Sequence, residues 1–283
     1  MAFRDVALEE LLKLLPNALL MGQGASDSID DRAIPANSSQ ITTVAIRVLD
    51  RESGHAELQW LSRLENHPNI IPFTGRCTTR DRVYLVSEYF NNVTFYDRLT
   101  EDLTWRQVLR VIAGVASGLA HIHAAGLVHR DIKPQSVIVN QDFHPTIVDL
   151  NLICQEGEIT DVQGPTYGYF SKEDVNEGIA KPSQDMYAFG IFILQAVMRR
   201  QQVFSTQTPV VVPHILDSMQ TAMTKRGHAV DERLMMRGCS PSQAKKVTTV
   251  ALQCVQVVNA RPTSTQVEKE LKKELKVLTI LHV

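Results

Sequence analysis

No stretch of this sequence stays apolar for long enough to cross a bilayer. The longest apolar run, Ala188 to Met198, is about half of the roughly 20 residues that a spanning helix needs, and Gln195 interrupts it. Basic charge is not in excess either: 29 Lys and Arg stand against 31 Asp and Glu, a formal net charge of -2. That balance gives no general attraction to nucleic acid or to an anionic membrane surface. There are four cysteines, Cys77, Cys154, Cys239 and Cys254, too far apart for a close-spaced metal pair. In a chain of this length they read as reduced, structural thiols rather than a disulfide framework. No charged-then-apolar leader opens the chain, and Ala2 stands where N-myristoylation requires glycine. Internal repeats and low-complexity tracts are also missing. The expectation is a soluble, cytoplasmic protein with no direct membrane insertion and no nucleic-acid partner.

What is present is an ordinary globular composition, 44% hydrophobic and 21% charged, with length for one large domain or two lobes. Leu8, Leu11, Leu12 and Leu15 share a helical face before Pro16, which predicts a short covering helix. Residues 22–40 are rich in Gly, Ser, Asp and Asn and read as a loop. Thr42 to Leu49 and Val83 to Tyr89 read as strands, and Leu58, Leu61 and Leu64 place a helix between them over Ala56 to Leu64. At Asn91 and Asn92 the pattern changes from strand-rich to helix-rich, and a boundary is expected there. Downstream, Val108, Val111, Ile112, Val115 and Leu119 mark a long amphipathic helix from Trp105 to Ala125. Two short strands, Ser136 to Val139 and Thr146 to Leu150, flank a turn. Met186 to Met198 is apolar nearly all round, as in a helix at the centre of a domain. Final helices are expected over Ser242 to Val257 and Thr265 to Leu281.

The most specific segment is His129-Arg130-Asp131-Ile132-Lys133-Pro134-Gln135-Ser136, followed by Asp149-Leu150-Asn151. It resembles the catalytic loop and metal-binding turn of eukaryotic protein kinases. Further matches lie in order on both sides: Val44-Ala45-Ile46-Arg47, Glu57, Ser171-Lys172-Glu173, Asp185 with Gly190, and Arg261-Pro262. The resemblance extends from about Leu20 to Leu275. It implies an α+β, bilobal kinase-like fold: a small β-rich N-lobe over 1–90, a hinge at about 88–91, and a larger α-helical C-lobe over 92–283.

Phosphoryl transfer needs phosphates held by cations and an acceptor hydroxyl held in line. By the resemblance Asp131 accepts the hydroxyl proton, Lys133 steadies the moving phosphoryl group, Asp149 holds magnesium and Glu57 pairs with a strand cation that grips ATP. Ala45 and Ile138 match the apolar roof and floor of an adenine slot, and Glu88 to Phe90 match the hinge that binds the base. Gly22 and Gly24 match a glycine-rich phosphate loop, although alone Gly22-Gln23-Gly24 reads as an ordinary turn.

The departures decide function. Arg47 stands where the family has lysine, replacing a compact ammonium by a wide planar fork. Ser136 stands at the second metal-binding asparagine, and its hydroxyl is a shorter and weaker ligand. The third glycine position falls on Asp27 or Ser28, and a carboxylate there repels phosphate. ATP and magnesium are therefore expected to bind weakly if at all. Arg130 would ordinarily meet an activation-segment phosphate; Thr160 is the leading acceptor, with Glu156, Glu158 and Asp161 as acidic mimics. Glu173 and Arg261 are expected to form a buried salt bridge. His121, His123, Trp60 and Trp105 read as surface or packing residues with no assigned chemistry.

Gly126-Leu127-Val128, Met186-Tyr187-Ala188-Phe189-Gly190-Ile191 and Arg261-Pro262-Thr263 resemble plant receptor-like cytoplasmic kinases, and Asp149-Leu150-Asn151 resembles the ZRK pseudokinase subgroup among them. That likeness implies an adaptor in plant immunity. Its partners would be an intracellular immune receptor and other receptor-like cytoplasmic kinases, which would bring it to the plasma membrane. A weakly active serine/threonine kinase is the alternative, because Asp131, Lys133 and Asp149 are all present. A nucleotide-gated switch is the third reading.

Overall fold

The protein is described here from a computed structural model covering residues 4–7, 19–23, 30–35, 43–88, 93–160, 166–203 and 214–280. The chain divides into two compact units, Met1–Asn91 and Asn92–Val283.

The first unit is built on a six-stranded sheet. In chain order its strands are β1 (Arg4–Asp5), β2 (Leu19–Gln23), β3 (Asp30–Pro35), β4 (Thr43–Asp50), β5 (Phe73–Thr78) and β6 (Arg82–Glu88), arranged β1-β5-β6-β4-β3-β2. Only the β1–β5 pair is parallel. The β-branched run of β4 buries Ile46 completely and faces Arg47 across to Leu85. Helix α1 (Arg51–Leu61) follows β4 without a loop, with Leu58 and Leu61 buried. It lies close on β6, since a Cβ added at Gly54 would fall 2.4 Å from Val83 Cβ.

Strand β3 corrects the expected loop over 22–40. Its sequence, Asp-Asp-Arg-Ala-Ile-Pro, has little strand character, and pairing to β4 through Arg32–Ile46 and Ile34–Val44 carries it instead. The expected helix at Leu8 to Leu15 lies outside the described residues.

The second unit is mainly helical. It contains β7 (Val93–Thr94), α2 (Phe95–Arg98), α3 (Trp105–Ala124), β8 (Leu127–Val128), β9 (Val137–Val139), β10 (Pro145–Ile147) and β11 (Cys154–Gln155), then α4 (Lys172–Glu177), α5 (Pro182–Met198), α6 (His214–Arg226), α7 (Glu232–Met236), α8 (Pro241–Cys254) and α9 (Ser264–Ile280). Thr104 caps α3 reciprocally with Gln107, and Val108, Val111, Ile112, Val115 and Leu119 bury its apolar stripe. Helix α5 is buried from Asp185 to Met198. It touches α8 so closely at Gly190 that a Cβ there would meet Val255 Cγ1 at 2.7 Å and Cys254 Cβ at 2.8 Å. The β9–β10 hairpin turns on Asn140, whose Oδ1 accepts from the N–H groups of Asp142 and His144. All four cysteines are free and buried, and no helix among the described residues is long and apolar enough to cross a membrane.

Candidate active site

In the second unit, β8 delivers the chain into the 129–136 loop and β9 takes it away. Two features hold the loop. Asp185, fully buried on α5, accepts from the N–H of His129 at Oδ2 and of Arg130 at Oδ1, each at 2.7 Å. Arg130 itself takes a left-handed backbone, φ 70°. Burial disfavours the Asp185 charge, but the hydrogen bond from His123 and the contacts with His129 outweigh it, holding the carboxyl below its usual range. The second feature is Ser136, which closes the loop onto the backbone of Lys133.

Within this frame three side chains form a closed ring. Thr166 Oγ1 donates to Asp131 Oδ1 at 2.5 Å, Lys133 Nζ donates to Asp131 Oδ2 at 2.5 Å, and Lys133 Nζ also donates to Thr166 Oγ1 at 2.7 Å. A carboxylate, an ammonium and a hydroxyl so placed suit general-base and charge-stabilising work on an incoming hydroxyl. Thr166 was not legible in the sequence. Thr160, expected as the phosphate acceptor of that segment, donates its backbone N–H to Gly178 O at 2.9 Å.

Asp149 reaches the loop through the hairpin. Ile147 pairs with Val137, Val148 N–H donates to Ser136 O at 3.0 Å, and Asp149 follows. Among the described residues no hydrogen bond or ion pair engages its carboxylate, so it is available to a cation. Ser136 is not. Its hydroxyl donates to Lys133 O at 2.9 Å and accepts from Lys133 N–H at 3.0 Å, and the residue is fully buried, so its remaining lone pair is turned away from any incoming cation. The donor set therefore fits a cation on the Asp149 side only, and no group of three or more His, Cys, Asp or Glu among the described residues is arranged to hold a metal.

His129 is wholly buried, and its Nδ1 accepts from Asp131 N–H at 3.2 Å. Burial pushes its imidazole down, against the pull of Asp185, Asp131 and Asp149, so the ring is neutral and Nε2 carries the proton. Burial raises the Cys154 thiol to about 11, against the opposing pull of the Arg130 side chain. Of the acidic residues expected near Arg130, Glu158 accepts from Gln155 N–H at 3.0 Å, Glu156 is exposed and Asp161 lies outside the described residues.

The remaining site residues belong to the first unit or to β9. Arg47 forms an ion pair with Glu57 on α1, both side chains nearly buried, and its guanidinium lies 6.0 Å from the Phe73 ring centroid. Ala45 pairs with Ser87, and Glu88 ends β6 opposite Val44. Gly22 sits in β2 beside a bulge, opposite Asp31. Gly24, Asp27, Ser28 and Phe90 lie outside the described residues. Ile138 is buried on β9 between Thr94 and Thr146.

Two expectations are corrected. Arg261 meets Asp174 at 3.1 Å with both side chains buried, whereas Glu173 is half exposed and 3.6 Å away, because the α4 cap at Ser171 turns Asp174 inward. His123 is no surface residue. Its side chain is 8% exposed, and Nε2 donates to Asp185 Oδ2 at 2.9 Å.

The protein kinase domain description matches residues 21–275. This chain belongs to the protein kinase domain family. The α+β make-up, with a sheet-based first unit and a larger helical second, is that of a kinase domain. The chain is 28% identical to Arabidopsis thaliana probable serine/threonine-protein kinase PBL20, over 89% of itself and 71% of that protein. It is 30% identical to probable receptor-like protein kinase At5g18500, over 82% of itself and 52% of the relative. To putative leucine-rich repeat receptor-like serine/threonine-protein kinase At2g19230 it is 32% identical, over 82% of itself and 28% of the relative, so it spans about half or less of these two receptor-like kinases. The kinase domain is thus related to plant serine/threonine and receptor-like kinases.

Proposed function

We propose that this kinase domain is catalytically impaired and acts as a pseudokinase adaptor in plant immune signalling, binding an intracellular immune receptor and client receptor-like cytoplasmic kinases. The observation that carries the impairment is the Ser136 hydroxyl bound to both backbone polar groups of Lys133. A metal held from the Asp149 side alone would leave the phosphates of ATP without a second clamp and would weaken the electrostatic stabilisation that phosphoryl transfer depends on. Arg47 adds to this by its shape: it keeps the pair with Glu57 that the family's cation makes, but a wide planar fork stands in place of a compact ammonium. The scaffold is kept: Asp185 anchors the loop and Arg261 with Asp174 braces the helical unit. The named partners, and recruitment to the plasma membrane through them, rest on the likeness to the ZRK subgroup.

Incorporation of labelled phosphate by the purified chain, beside an Asp131→Asn control, tests this. Native protein at the level of the control, with labelling rising when Arg47→Lys and Ser136→Asn are combined, supports the reading. Recovery of receptor and kinase partners from plant tissue, undiminished by Asp131→Asn, supports the adaptor role. The ring of Asp131, Lys133 and Thr166 favours a second reading, a slow serine/threonine kinase. Asp131-dependent labelling by the unaltered chain would establish it.

A further inference from the structure

Ser264 opens α9 and is nearly fully buried, 4% exposed. Its Oγ lies 2.8 Å from His123 Nδ1, and the other nitrogen of the same ring lies 2.9 Å from Asp185 Oδ2. Asp185 in turn holds the backbone N–H groups of His129 and Arg130, the two residues before Asp131. A hydroxyl 133 residues downstream of Asp131 thus stands one histidine and one carboxylate away from the candidate catalytic loop. We propose that Ser264 is a positioning residue for the 129–131 loop, acting by fixing which nitrogen of His123 carries the proton.

The argument runs from what each group can do. An ionised carboxylate only accepts, so the bond to Asp185 assigns a proton to His123 Nε2. A neutral ring then presents a bare lone pair at Nδ1. Ser264 supplies the O–H that fills it, so all three groups are satisfied at once. Without that hydroxyl the buried Nδ1 has no donor, and the ring gains by moving its proton to Nδ1. The Nε2 lone pair would then face the Asp185 carboxylate, and Asp185 would lose one of its three donors. A buried carboxylate with fewer donors holds its partners less well, and those partners are the amides of the loop.

The anchoring of α9 does not depend on this contact. Val267 and Leu271 are buried along the helix, and Ser117 Oγ on α3 donates to Glu268 Oε1 at 2.7 Å. Removal of one hydroxyl therefore tests the proton placement rather than the docking of the helix. The inference holds whether or not the domain transfers phosphate.

The test is 15N–1H NMR of the histidine rings in the native full chain, with Ser264→Ala and Ser264→Thr beside it and amide exchange read at His129 and Arg130. Native His123 should carry its proton at Nε2. Ser264→Ala should shift it toward the Nδ1 form and speed exchange at the two amides by about tenfold beyond any change in global unfolding, and Ser264→Thr should restore both. A native His123 protonated only at Nδ1, or at both nitrogens, overturns the proposal without any variant. So does a Ser264→Ala protein in which His123 stays in the Nε2 form, or in which the two amides lose protection only as global stability falls.

Discussion

Asp174 Oδ1 and Oδ2 take the Nη1 of Arg261 at 3.2 and 3.1 Å, while Glu173, one residue earlier, lies 3.6 Å away in half-exposed surroundings. The side chain of Arg261 is completely buried and also donates to Ser183 O, Gln256 O and Ser171 Oγ. The two neighbouring carboxylates therefore differ sharply in energetic weight. Breaking a buried pair from one side costs ~3–5 kcal/mol, whereas an exposed pair is worth under ~1 kcal/mol. Asp174→Ala should lower urea-unfolding stability by the larger amount and Glu173→Gln by the smaller. Equal losses would contradict the assignment.

The Ser136 lock bears on nucleotide binding. A ligand that binds only the folded state raises the unfolding temperature. With cation donors on the Asp149 side alone, magnesium should add only a small increment to the midpoint shift that ATP gives. Ser136→Asn should enlarge that magnesium-dependent increment. A large magnesium-dependent shift in the native chain would show that Ser136 does not limit metal binding.

Arg199 ends α5 in a left-handed conformation, φ 54°, with its guanidinium bonded to Glu101 O and its Nε and Nη1 buried without partners. A side chain in that backbone region costs ~1–2 kcal/mol, which glycine avoids. Arg199→Gly should therefore match or exceed the native stability, and Arg199→Ala, which keeps the backbone penalty, should fall below Arg199→Gly by about 1 kcal/mol. Paired thermal or urea melts decide it.

Acid should weaken the fold in two stages. Buried His129, pushed below its ordinary 6.5, is neutral when folded but takes up a proton more readily when unfolded. Stability therefore falls as pH drops below about 6.5. His228, lowered by burial and by Arg226, adds to the same stage. Asp185 acts lower down: held below its ordinary 3.8, it contributes fully above that value and loses the contribution as pH falls through its folded one. His129→Asn should give a less stable protein with a flatter profile between pH 7 and 5, and Asp185→Asn a flatter profile below pH 4. Unchanged slopes in both variants would refute these assignments.

Much of the chain was open to a linear reading. The 129–136 loop and the Asp149 turn stand out because their residues act from one short segment and a hairpin, so spacing alone carries the pattern. Helices α3 and α5 were legible to within a few residues, since a buried stripe and an all-round apolar face are properties of local sequence. Strand β3 was not, because its pairing with β4 rather than its side chains makes it a strand. The same limit hid Thr166, 35 residues from Asp131, and His123, 62 residues from Asp185.

Residue types and order by themselves determined the family, the ring members Asp131 and Lys133, the retained Asp149 and the departures at Arg47 and Ser136. Only the tertiary structure decided that Ser136 is turned onto the backbone of Lys133, that Arg261 takes Asp174 in place of Glu173, and that a buried histidine supports the loop anchor. The physical reason is that hydrogen bonding in a buried setting is settled by which polar groups are brought together away from water, and that depends on packing between distant segments.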